Sequence, residues 1–118
     1  MNDRLSVVES RLVEEIVRQH SQDYPSLGDQ LDLLRVISRE PTGVGAYIHF
    51  SVLGPVRDET INIQLGFEGE IQVDGVPWGL GCVMLVKAGR IHYLELFTYP
   101  DDTWDGNLDS ANIIPANS

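Results

Sequence analysis

The 118-residue sequence predicts an α+β fold, an N-terminal amphipathic helix packed on an antiparallel sheet of about five or six strands in a hairpin meander. Three observations predict it. Apolar residues recur at three- and four-residue spacing near the N-terminus, and from about residue 34 the period changes to two. Glycine-containing turns then punctuate the alternating segments at short intervals.

In the first segment Leu5, Val8, Leu12, Val13, Ile16 and Val17 form one stripe, with Glu9, Arg11, Glu14, Glu15 and Arg18 opposite. Asn2 or Asp3 offers a cap at its start, and Ser6 with Glu9 offers a capping box one turn in. The helix ends in "HSQDYP", where Pro25 bars continuation. A further short helical stretch is expected over Leu27–Leu34.

In "AYIHFSV" Ala46, Ile48, Phe50 and Val52 alternate with Tyr47, His49 and Ser51, and "LRVISR" is its hairpin partner. A two-residue turn at Thr42-Gly43 sets Arg35 and Arg39 opposite Phe50 and Ala46. A three-residue loop, Pro41-Thr42-Gly43, pairs Val36 with Ile48 and Leu34 with Phe50, and the apolar match favours it. "TINIQLGFEGEIQV" alternates throughout, but 14 extended residues span about 46 Å, too long for a domain of this size. Gly66 and Gly69 are the expected break. Asp74-Gly75 signals a hairpin, and Pro77 cannot donate to a central ladder.

"CVMLV" is apolar on both faces, as a covered central strand is, and returns through "KAGR" into "IHYLELFTY". Pairing Val86 with Ile91 then sets Met84 opposite Tyr93 and Cys82 opposite Glu95. Leu94 and Leu96 share one face with His92 and Thr98, whereas Glu95 shares the other with Ile91, Tyr93, Phe97 and Tyr99. The leucine face is the one expected to meet the helix. Residues 1–100 read as a single α+β domain, and residues 101–118 as an acidic, largely irregular tail that Trp104 or Ile113-Ile114 could tie down.

Composition narrows the classes of function. A formal charge of −10 disfavours nucleic acid and anionic membranes and permits attraction to a basic protein partner, while acidity that serves solubility alone is the stronger reading. The single cysteine, Cys82, cannot form an internal disulfide, and the first twenty residues carry acids early with no apolar signal region. No apolar run approaches the roughly 20 residues that span a bilayer. The expectation is a soluble, cytoplasmic protein.

Several motifs carry less than they promise. "GLGCVM" precedes a strand and lacks a third glycine, so no helix N-terminus is there to meet a phosphate. "DDTWDGNLDSAN" has oxygen donors at Asp101, Thr103, Asp105 and Asp109, but Asn112 replaces the bidentate glutamate of a calcium loop, so it reads as an acidic turn. His20, His49 and His92 have no ligand spacing, and no metal or cofactor is expected. Apolar neighbours make Cys82 an inert packed thiol.

Glu95, among leucines and aromatics, admits three readings: solvated at the edge of an aromatic patch, bridged to Arg35, Arg39, Lys87 or a tyrosine hydroxyl, or a working acid in a pocket. Catalysis would rest on Glu95 with His49. A binding surface would draw on Tyr47, Trp78, Tyr93, Glu95, Phe97, Tyr99 and Trp104.

Taken together, "VISREPTGVGAYIHF" and "GLGCVMLVKAGRIHYLELFTYPDDTW" resemble a family of small uncharacterised bacterial proteins. The shared features are an Arg-Glu-x-Thr-Gly-x-Gly-aromatic stretch and a Leu-Glu-x-aromatic-Thr-Tyr strand leading to a tryptophan, over about residues 31–104. Leu96 stands where such sequences often have glycine, Cys82 ends the Gly-x-Gly stretch, and Asp105 replaces a common proline. The resemblance implies no catalytic residues. The small acidic form is similar to many toxin-immunity proteins, by analogy of form alone.

Two functions compete. One is a non-enzymatic interaction module of immunity or inhibitor type, with homodimerisation through the aromatic face compatible with it. The other is a small-ligand binder or simple acid–base enzyme with a nuclear-transport-factor-like cone, to which "GRIHYLELF" is loosely similar. An enclosed cavity near Glu95, Tyr93 and His49 would separate them.

Overall fold

The computed structural model describes residues 3–99 and 102–116. Helix α1 runs Val7–Gln19. Its start is the inner of the two expected caps: the Ser6 hydroxyl accepts from the Glu9 amide while the Glu9 carboxylate accepts from the Ser6 amide. Leu12, Val13, Ile16 and Val17 are buried along one stripe. A 3-10 segment follows at Pro25–Leu33, in which Leu27 and Gln30 are buried. Gln30 earns its place through both ends of its amide. Its Nε2 donates to the Gly89 carbonyl at 2.9 Å and its Oε1 accepts from the Ile91 amide at 2.7 Å, pinning a distant hairpin turn.

Seven strands form one antiparallel sheet: β1 (Leu34–Pro41), β2 (Gly45–Val52), β3 (Ile63–Gly66), β4 (Gly69–Val73), β5 (Val76–Lys87), β6 (Arg90–Thr98) and β7 (Asn112–Pro115). Six follow the order β1-β2-β6-β5-β4-β7, and β3 pairs with β5 beyond the end of β4. The long alternating run of the sequence is thus two strands laid along one edge of β5. They separate at Phe67-Glu68, where Gly69 has φ +141° and a side chain there would meet the Ile114 carbonyl. Asp74-Gly75 closes the β4–β5 hairpin, with Val73 paired to Val76 and Gly75 at φ +81°.

Both α1 and the 3-10 segment share a core with one sheet face, formed by Ile48, Phe50, Met84, Ile91, Leu94 and Leu96 among others. The faces of β6 are as expected for Leu94 and Leu96, but two registers differ from expectation. In the first hairpin Val36 pairs with Phe50 and Leu34 with Val52, and the connection lies one residue further along the chain, at Thr42-Gly43-Val44, closed by a Thr42 amide to Gly45 carbonyl bond of 2.9 Å. A bulge between Val36 and Ser38 then reverses the facing of β1. Ile37 is left exposed, and Arg39 comes round to the helix side opposite Ile48.

In the last hairpin Val86 does pair with Ile91, but a second irregularity lies between Leu85 and Val86. Met84 therefore meets Leu94 rather than Tyr93, and Cys82 meets Leu96 rather than Glu95. The same shift puts Ile91 in the core and His92 outside. Beyond residue 101, Trp104 and Ile113 are buried and β7 pairs with β4. Residues 102–116 are tied to the sheet. No helix among the described residues is long and apolar enough to cross a membrane.

Candidate aromatic docking face

Residues of β2 and β6 that flank the core leucines point to the sheet face opposite the helix. Register puts Tyr47 beside Glu95 and His49 beside Tyr93. Across the next strand boundary Glu95 pairs with Val83, Tyr93 with Leu85 and Phe97 with Gly81. Gly81 makes room for this arrangement: a β-carbon would stand 2.3 Å from the Phe97 ring, which lies over the glycine and would have to move aside. The rings form a connected group. Tyr47 and Tyr93 meet edge-on at 5.4 Å, His49 lies 6.0 Å from Tyr47 and 5.8 Å from Tyr93, and Phe97 meets Tyr99 at 6.3 Å. All are partly exposed, because neither helical segment covers this side.

Glu95 sits in the middle of this patch. The Tyr47 hydroxyl donates to its Oε2 at 3.2 Å. The nearby negative charge, together with that hydrogen bond, raises the Tyr47 phenol above its ordinary value. Among the described residues no arginine or lysine forms an ion pair with Glu95. Each expected cation is engaged or placed elsewhere. Arg39 pairs with Glu9 across the other face, Arg35 donates to the carbonyls of Asp32 and Leu34, and Lys87 stands at the hairpin end opposite Arg90.

His49 and Glu95 are not partners. They occupy neighbouring cross-strand rows, and His49 Nε2 instead lies 3.3 Å from Glu40 Oε1 without hydrogen-bond alignment. No base-and-orienter geometry links them. Four surface depressions are lined by other residues, and none has Glu95, Tyr93 or His49 in its wall.

Of the remaining surface candidates, Trp78 is 76% exposed and Tyr99 45%. They line an open groove of about 780 Å³ along the β4–β5 hairpin, with Glu70 and Gln72 in its wall. Trp104 does not belong to the surface. It is 6% exposed, and its indole N–H donates to the Asn107 carbonyl at 3.2 Å. Alternation in β4, with Ile71 and Val73 buried and Glu70 and Gln72 exposed, was the signal that could have added the latter pair to the candidates.

In the calcium-like segment two side-chain oxygens serve local turns. Asp105 Oδ1 accepts from the Asn107 amide and Asn107 Oδ1 from the Asp109 amide, while Asp101 lies outside the described residues. No group of three or more His, Cys, Asp or Glu among the described residues is placed to hold a metal. Cys82 is buried in β5, and burial, with a lesser contribution from the Glu95 charge, pushes its thiol far up.

Two arrangements escaped sequence reasoning. The Glu9–Arg39 pair, with contacts of 2.7 and 2.8 Å, depends on the β1 bulge, and the Gln30 clamp depends on where a 3-10 turn meets a hairpin. No protein-family model, curated protein or solved structure matches this chain.

Proposed function

We propose that the protein is a non-enzymatic interaction module that docks a basic partner on the open sheet face, through Tyr47, Tyr93, Glu95 and Phe97. The observation that carries this reading is the Glu95 carboxylate, held by Tyr47 in the centre of a half-exposed aromatic patch, with no arginine or lysine among the described residues paired to it. A guanidinium or ammonium arriving there gains a carboxylate with aromatic rings beside it. Aromatic anchors around a single charge are the composition of an interface centre.

Charge also separates a foreign partner from a second copy. A two-fold interface centred on this face would bring Glu95 against its own copy, between bodies of net charge −10. A basic partner meets the opposite situation, with attraction that steers encounter.

The test compares the wild type with Glu95→Lys as baits in lysate of the source cell, at low and high salt. A basic protein retained by the wild type and lost both to the charge reversal and to salt is the expected result. Retention indifferent to Glu95→Lys, or a wild-type dimer by light scattering that the same substitution breaks, would overturn the proposal.

A further inference from the structure

The docking face does not stop at Phe97. Tyr99 continues the ring series on the same side of β6 and shares a groove with Trp78. A tryptophan 76% exposed is unusual for so large a side chain, which is highly buried on average. The backbone accounts for its position. The β4–β5 pairing shifts register between Ile71 and Val73, and Gly79, next to Trp78, has φ +70° at a place where a β-carbon would stand 2.5 Å from the Ile71 carbonyl oxygen. Irregularities of this kind re-aim side chains. The opposite wall holds Glu70 and Gln72, with Gln72 Nε2 3.5 Å from Glu70 Oε2, and no cationic residue among those described lines the groove.

The sheet register relates this groove to Glu95. Ile71 pairs with Leu80, so Glu70 stands beside Gly81, whereas Glu95 pairs with Val83 two residues along the same strand. Glu95 and Glu70 are thus two strands apart and two residues offset, which is about 12 Å from strand spacing of about 4.8 Å and rise of about 3.3 Å. An extended chain covers that in three or four residues.

We propose that the Trp78–Tyr99 groove is the second anchor of the docking face, and that it takes an extended cationic segment of the partner. One arginine or lysine meets Glu95 beside Tyr47 and Tyr93. Another, three or four positions away, lies against Trp78 with its charge toward Glu70. Charge complementarity argues for this occupant: both anchors combine an aromatic surface with a carboxylate, and among the described residues no arginine or lysine is paired to Glu95 or lines the groove. The inference rests on the docking reading above and adds the partner's conformation and charge spacing.

The experiment uses the whole protein and labelled Gly/Ser peptides carrying two arginines that are adjacent, three or four residues apart, or at opposite ends, with binding read by fluorescence anisotropy. The intermediate spacing is expected to bind about fivefold tighter than either other spacing. Trp78→Ala and Glu70→Gln are expected to abolish that preference while leaving the weaker, Glu95-dependent binding. Both sites are exposed, so folding is not at stake, and circular dichroism checks it. Glu14→Gln, on the exposed face of α1, removes one charge elsewhere and is expected to change nothing. Equal affinity for all spacings, or a spacing preference that survives Trp78→Ala, overturns the second anchor alone when Glu95→Gln still weakens binding. Absence of binding, or indifference to Glu95→Gln, overturns the docking reading with it.

Discussion

Replacing Arg39 by methionine should be the most informative single perturbation of this fold. Arg39 reaches the helix only because the β1 bulge turns it inward, and there its Nε and a terminal amine hold both oxygens of Glu9 at 2.7 and 2.8 Å. The Glu9 side chain is 4% exposed, that of Arg39 45%. Burial pushes the Glu9 carboxyl up. The Arg39 hydrogen bonds, the Ser6 amide and the Arg39 charge together outweigh burial and hold it below its ordinary 4.5.

Breaking a fully buried pair costs about 3–5 kcal/mol. Partial solvation of Arg39, and the Ser6 bond that Glu9 keeps, reduce the expected loss to about 2–3 kcal/mol. In urea unfolding followed by circular dichroism, that lowers the midpoint by about 1–2 M at unchanged slope. The Glu9→Gln/Arg39→Met double variant retains the reciprocal cap without a buried charge, so it should be more stable than Arg39→Met alone. The pH dependence has a definite sign. Because the folded value is depressed, the pair's contribution is fully present above 4.5 and is lost as pH falls through the folded value, so wild type and Arg39→Met should converge in acid. A loss below about 0.5 kcal/mol at pH 7, within the range of ordinary surface changes, would refute the assignment of this pair as a structural tie.

Other outcomes follow from the same geometry. Glu95→Gln should bring the Tyr47 phenol back toward its ordinary value, read by ultraviolet titration against the other tyrosines. Cys82, buried and with its thiol pushed up, should resist alkylation in the native protein and react promptly in denaturant. Trp104→Ala should cost about 3–5 kcal/mol by large-to-small truncation in a core, measured by denaturation; a negligible effect would mean that the segment around it is not part of the folded unit.

Local pattern was enough for the classes of element. The stripe from Val8 to Val17, the capping box of Ser6 and Glu9, and the Asp74-Gly75 turn are all written within a few residues of one another. Facing was legible for the same reason at Ile48, Phe50, Leu94 and Leu96, since side chains alternate strictly within an uninterrupted strand. The Tyr47–Tyr93–Glu95–Phe97 face was visible in outline on that basis, and Trp78 and Tyr99 are exposed.

Two-residue alternation by itself determined that the stretches of β2, β3, β4 and β6 become strands and that Glu95 turns away from the leucines, but not that β7 forms within a segment that reads as irregular. What it could not carry was register, because a bulge adds one residue to a strand without any required residue type. One such irregularity brought Arg39 to Glu9, and another traded the expected Cys82–Glu95 pair for Cys82–Leu96. Tertiary contact alone drew Trp104 inside and joined β7 to β4, since an indole in a polar segment buries itself only where distant strands leave room for it.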